Sequence, residues 1–350
     1  MTVNETNLEG QTNLWEKIVS FLHGIGFTPL GLLLLIVLAV MPNFHPFSQE
    51  YVLRWLVMGA FLGAQAVAFD FTAGYINIVN FGFAALLGLG AYTSGIFANT
   101  TPFLLFAPGL SPWLSIWLGA IMAGLVGFLL GVLTLRLRGI FAAVMAWFVG
   151  IALMGLVNNL TDLTRGPLGM NPRKFLQTPN NLPYYYIILI MMVGIYIILK
   201  LVTKSNIGLA FKAIGQNPDA AKASGINPTK YLVFNFTLSA FFAGLLGGFY
   251  AHYFGSLTPS TLMHTSKTVE VLALAYIGGR GSLWGGIAVA FPFIFFIEYL
   301  RSNFTNLPGL HLVIYGVLMI LIMIYYPDGF SGIYHWAAAK VKSFFSRDQD

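Results

Sequence analysis

Residues 71–135 read FTAGYINIVNFGFAALLGLGAYTSGIFANTTPFLLFAPGLSPWLSIWLGAIMAGLVGFLLGVLTL, and from Phe71 to Leu135 there is no Asp, Glu, Lys or Arg. Soluble globular domains are about one-quarter charged, so a gap of this length has no place in one. A bilayer core is roughly 30 Å thick and needs about 20 mostly apolar residues per spanning helix. The rest of the chain follows suit, with 57% of its 350 residues hydrophobic and 9% charged. The fold class is therefore an all-α, polytopic integral membrane protein.

Apolar runs place spanning segments near 27–42, 51–71, 76–98, 113–135, 140–160, 184–202, 230–254, 283–300 and 310–326. Val269 to Gly278 is too short to span, and Gly278, Gly279, Gly281, Gly285 and Gly286 around it indicate a short or broken helix. The expected count is about ten membrane helices, short or broken ones included. The domains are a polar N-terminal segment 1–26, a transmembrane domain 27–334 with a polar loop 203–230, and a basic tail 335–350.

Eighteen Lys and Arg against twelve Asp and Glu give a formal charge of +6. In a soluble chain this would point to nucleic acid; here it reflects basic residues gathering on the cytoplasmic side. Lys200, Lys204, Lys212, Lys222 and Lys230 flank or lie in the 203–230 loop, and Lys340, Lys342 and Arg347 close the chain. Both termini and that loop are expected in the cytoplasm, with Arg165, Arg173 and Lys174 a mild exception in an external 161–183 loop. There is no cysteine, so thiol chemistry is excluded. The first sixteen residues carry Glu5, Glu9 and Glu16 and no basic run, so the first apolar segment is expected to remain as an anchor.

Within 203–230, Asn217-Pro218-Asp219-Ala220-Ala221-Lys222-Ala223-Ser224-Gly225 spells a short helix. Asn217 suits the N-cap, Pro218 the first helical position, Asp219 the positive end of the dipole, and Gly225 the left-handed residue that stops the helix. At about 1.5 Å per residue it is only about 10 Å long, too short to stand alone in water, so a packing partner is implied.

Polar residues in the apolar segments carry two readings each. Asn77 and Asn80, in Gly74-Tyr75-Ile76-Asn77-Ile78-Val79-Asn80-Phe81-Gly82, either belong to a broken, closely packed helix that lines a polar path or hydrogen-bond across plainly packed helices. Asp70 and Glu270 stand out because a carboxylate at the bilayer centre costs at least ~2.5 kcal/mol, although an interfacial position removes most of that. Glu298 can pair with Arg301, and the six histidines show no metal-ligand spacing. Candidate pathway residues are Tyr75, Asn77, Asn80 and Glu270. No G-x-x-x-x-G-K-[ST], H-E-x-x-H or G-x-S-x-G occurs, so the chain has neither a P-loop of its own nor an evident hydrolytic centre, and it does not read as an enzyme.

Over about Ala68 to Ile333 the chain resembles the permease subunits of branched-chain amino acid ABC importers, the LivM type. The resemblance rests on Gly74-Tyr75 with Leu87-Gly88-Leu89-Gly90-Ala91-Tyr92, Leu135-Arg136-Leu137-Arg138-Gly139, Gly166-Pro167-Leu168-Gly169 and Ile207-Gly208-Leu209-Ala210-Phe211-Lys212-Ala213-Ile214. It continues through the short helix with Gly225-Ile226-Asn227, then Phe242-Ala243-Gly244-Leu245-Leu246-Gly247-Gly248, Gly278-Gly279-Arg280-Gly281-Ser282-Leu283-Trp284-Gly285 and Tyr326-Pro327-Asp328-Gly329-Phe330. The resemblance implies that Asp219-Ala220-Ala221 with Gly225 is a coupling helix, Asp replacing the usual Glu, with Gly215 as a loop hinge. It also implies two ATPase subunits carrying the ATP and Mg, a second permease, an extracytoplasmic binding protein, and the inner membrane as location, with no cofactor on this chain. Branched-chain or related amino acids are the implied cargo, with urea, short amides or another small polar solute as the alternative. Phe83 stands where the family usually has histidine, so selectivity does not carry over. An ion-coupled transporter, needing Asp70 or Glu270, is the alternative from another class.

Overall fold

The structure, a computed structural model, describes residues 29–99, 108–134, 137, 139–303, 310–325 and 329–332. The expected segments 1–26 and 335–350 lie outside them, as do Arg136, Arg138 and Tyr326-Pro327-Asp328. The described chain is helical, without a strand; one isolated antiparallel bridge joins Met170 and Leu257.

The helices are α1 (Pro29–Val40), α2 (Glu50–Ala73), α3 (Phe83–Ala98), α4 (Pro112–Thr134), α5 (Ile140–Asn159), α6 (Thr161–Thr164), α7 (Leu182–Lys204), α8 (Asn206–Gln216), α9 (Pro218–Ala223), α10 (Pro228–Phe254), α11 (Pro259–Leu262), α12 (Thr265–Gly278), α13 (Trp284–Asn303) and α14 (Leu310–Tyr325). Six of them, α2, α4, α5, α7, α10 and α13, are long and apolar enough to cross a membrane. The other expected segments are shorter helices, so among the described residues six helices are long and apolar enough to cross, and the expected total of about ten also counted short and broken ones.

Burial ranks these helices. In its most apolar stretch α2 is 83% buried, whereas α5 is 28% buried. A helix buried all round belongs in the interior, and α2 has Leu56, Val57, Ala66, Ala68 and Thr72, which point to different sides of the helix, all inaccessible. Lipid tails give apolar helices little reason to associate, so the bundle relies on close approach and polar bonds. α3, α4 and α10 meet along glycines: a Cβ at Gly90 would enter the Gly244 backbone, and one at Gly119 the Gly90 carbonyl. Ser239 Oγ donates to the Ala68 carbonyl at 2.7 Å and Asn235 Nδ2 to the Phe71 carbonyl at 2.9 Å, tying α10 to α2. At the far end of α10, His252 Nε2 lies 2.8 Å from Ser94 Oγ and 3.1 Å from Ser115 Oγ, while its Nδ1 bonds the Arg173 carbonyl.

The expected helix over 76–98 is corrected. The chain leaves α2 at Gly74, and α3 begins only at Phe83, which is fully buried. Asn77 bonds Arg280 just past the end of α12, whereas Phe81 and Ala84 bond Thr268 near its start. The intervening extended chain, about 13 Å at roughly 3.3 Å per residue, climbs alongside α12. Gly82 permits this because a side chain there would collide with the Ala146 carbonyl of α5.

Candidate functional site

The surface around the short helix is built on α8. Ser205 caps this helix by accepting the Ile207 N–H at 3.2 Å, and its buried face is Gly208, Ala210, Phe211 and Ile214. Phe211 stands edge-on to Phe71, with centroids 5.5 Å apart, anchoring α8 to the end of α2. Gly215 lies within α8, not in a loop, so the expected hinge is corrected: a side chain at Gly215 would strike the Tyr75 carbonyl. Its missing side chain brings α8 against the backbone that leaves α2.

α9 follows one residue later. Asn217 Oδ1 accepts the N–H groups of Asp219 at 3.0 Å and Ala220 at 3.1 Å. At the other end Ile226 N–H bonds the Ala221 carbonyl at 3.0 Å and Gly225 N–H the Lys222 carbonyl at 3.1 Å, with Gly225 at φ +84°. These two bonds and a left-handed glycine make a Schellman stop. Ala221 is 4% exposed and belongs to the chain's own core, so it faces inward; Asp219, Ala220, Lys222, Ala223 and Gly225 face out. Between α9 and Ile76-Asn77-Ile78 lies an open cleft of about 760 Å³, with Gly215, Asp219 and Lys222 on its wall.

From that cleft a polar chain leads inward. Lys212 Nζ sits 5.9 Å from the centre of the Tyr75 ring. Asn77, at φ +58°, accepts a hydrogen bond from Arg280 Nη1 at 3.0 Å. The glycine-rich turn carrying Arg280 is held by Asp70, whose Oδ1 accepts the Gly281 N–H at 2.8 Å and Oδ2 the Leu283 N–H at 3.0 Å. Asp70 is 3% exposed, and both oxygens serve the backbone. Asn80 Oδ1 accepts the Gly82 N–H at 3.0 Å, but its Nδ2 is buried without a hydrogen-bond partner in the chain.

Tyr75, Asn77 and Asn80 thus share one unwound segment with the turn that Asp70 holds. Glu270 does not join them. It lies near the opposite end of α12, paired with Lys267 at 2.9 Å. Its i,i+3 spacing from Lys267 was a readable signal; the Asn77–Arg280 bond, spanning two hundred residues, had none. Glu298 and Arg301 approach to 3.7 Å. Among the described residues no group of His, Asp or Glu could hold a metal ion.

A family model described as the branched-chain amino acid transport system permease component matches residues 51–323. The chain belongs to that family. The permease is 27% identical over 284 residues to the high-affinity branched-chain amino acid transport system permease protein LivM of Escherichia coli (strain K12), covering 73% of this chain and 64% of that relative's length. It is 29% identical to the nucleoside ABC transporter permease protein NupC of Lactococcus lactis subsp. cremoris, over 53% of this chain and 62% of the relative. It is 24% identical to the fructose import permease protein FrcC of Rhizobium meliloti, over 88% and 87%. No solved structure matches the permease.

Proposed function

We propose that this permease is the membrane subunit of an ATP-driven ABC importer for branched-chain or related amino acids. It would work with a second permease, two ATPase subunits that hold the ATP and Mg, and an extracytoplasmic solute-binding protein. α9 is the docking element, and its end of the bundle is cytoplasmic. The observation that carries the reading is the seating of this doubly capped helix on α8 and α10, with Ala221 buried, while Gly215 of α8 lies against the Tyr75 carbonyl. A rigid piece so placed passes a push from a partner through α8 and Gly215 into Tyr75-Ile76-Asn77, and from Asn77 to Arg280. Of the two carboxylates that an ion-coupled transporter would use, Asp70 is bonded to backbone N–H groups and Glu270 to Lys267, which favours the importer.

Co-purification from native membranes in mild detergent, with mass spectrometry of what remains bound, tests the reading. A P-loop ATPase and a second permease are the expected companions. Recovery of the chain alone would replace the importer with an ion-coupled transporter. The nucleoside and fructose relatives support a second reading, the same machine with another small polar solute. Screening the companion binding protein against amino acids, nucleosides and sugars separates the two.

A further inference from the structure

At the end of the bundle away from α9, helices α2, α10 and α12 enclose a cavity of about 180 Å³. Its walls include the buried apolar side chains of Phe61, Leu62, Leu87, Leu262 and Val271. Five polar residues also line it: Gln65, Tyr250, Thr261, Lys267 and Glu270. Lys267 Nζ and Glu270 Oε2 are 2.9 Å apart, with side-chain exposures of 53% and 21%. An exposed ion pair on a helix contributes little to stability, so this pair is free to serve another purpose. Small-molecule sites have this build, a mostly apolar pocket with a few convergent polar groups.

The geometry points to a ligand. A fixed positive and negative charge side by side complement a molecule carrying the same two charges, aligned head to tail against them. The apolar walls behind the pair suit an aliphatic chain. Hydroxyl-rich solutes such as a sugar or nucleoside would set some hydroxyls against Phe61, Leu62 and Leu87 and give the two charges only neutral hydrogen bonds, weaker than opposite charge. A cavity of about 150 Å³ holds one benzene, so this one admits a short branched chain, with the charged head at the Lys267–Glu270 side.

We propose that this cavity is a station for a small α-amino acid with an apolar side chain, its carboxylate meeting Lys267 and its ammonium Glu270. The proposal rests on the importer reading and goes beyond it by putting solute contact on named residues of this chain. An aminophospholipid headgroup carries the same two charges, so the test separates the two sources.

The native complex is placed in phosphatidylcholine nanodiscs and labelled with photo-leucine, and the modified peptides are mapped. Label is expected on peptides from 250–254 and 261–271, displaced by leucine but not by fructose or uridine. Leucinol, which lacks the carboxylate, and 4-methylpentanoate, which lacks the ammonium, should protect about 10- to 100-fold less well than leucine, the loss of one charged hydrogen bond. Lys267→Met and Glu270→Gln should weaken leucine protection by a similar factor, and the wild-type competition series decides the matter even if neither variant assembles. Label elsewhere or nowhere, equal protection by leucinol or 4-methylpentanoate, or displacement by added phosphatidylethanolamine would each overturn the proposal. Presence of an ATPase in the same preparation is scored separately, so a failed importer reading is distinguishable from a failed cavity.

Discussion

At the residue scale, three side chains do work that their identity alone would not reveal. Asp70 is an acidic residue in an apolar helix, yet it acts as a staple that satisfies two backbone N–H groups of the Gly279–Leu283 turn. Asp70→Ala strands both donors at about 1–3 kcal/mol each, so the thermal midpoint of the detergent-solubilised protein should fall sharply, whereas Glu298→Gln, at a partly exposed pair, should leave it nearly unchanged. Arg280→Met and Asn77→Leu both remove the bond joining the unwound segment to that turn. Each should lower solute uptake while leaving assembly with partners intact; normal uptake by both would exclude the bond from the transport cycle. Gly225 has open space where a Cβ would go, but its φ of +84° is strained for any other residue. Gly225→Val should cost about 1–2 kcal/mol at the stop of α9 and uncouple ATP hydrolysis from transport. Undiminished stimulation of hydrolysis by solute-loaded binding protein would contradict that.

Elements are where local chemistry and packing divide the decisions. The start, stop and length of α9 were legible, because capping and a left-handed glycine are properties of neighbouring residues. Which of its alanines faces out was not, since Ala220 and Ala221 are alike until α8 and the body of the bundle take Ala221. Asn217→Ala should cost about 0.5–2 kcal/mol of α9 stability, with Asn217→Ser largely retaining coupling, as read by binding-protein-stimulated ATPase activity. Equal coupling in Asn217→Ala would show that the cap is dispensable. The glycines of α3 and α10 give a second contrast. Gly90→Ala drives a methyl into the Gly244 backbone, while Gly155 has open space around it. Gly90→Ala should reduce folded yield and melting temperature, and Gly155→Ala should match or exceed the parent, by up to about 1 kcal/mol. Similar losses in both would mean that the α3–α10 seam does not depend on close backbone approach. The interruption of 76–98 escaped composition because hydropathy counts apolar residues and does not sense the Ala146 carbonyl that Gly82 must accommodate.

For the whole molecule, one continuous set of contacts runs from α9 through Gly215 and Tyr75 to Asn77, Arg280 and Asp70. Docking of partners on α9 should therefore slow amide hydrogen exchange at Gly279–Leu283 as well as on α9 itself; slowing confined to α9 would break the link. The sequence alone determined the class: an absence of charge from Phe71 to Leu135 can be reconciled only with a membrane, whose cost for charge is paid residue by residue and needs no contacts to compute. It also determined α9, since helix caps are local. Tertiary structure alone decided that residues 76–82 of the 76–98 segment stay outside the helix, that Gly215 is a contact point rather than a hinge, and that Asp70 holds a turn while Glu270 stands beside a cavity at the other end. Those outcomes depend on partners up to two hundred residues away, and no short-range rule encodes which backbone group will arrive opposite a given side chain.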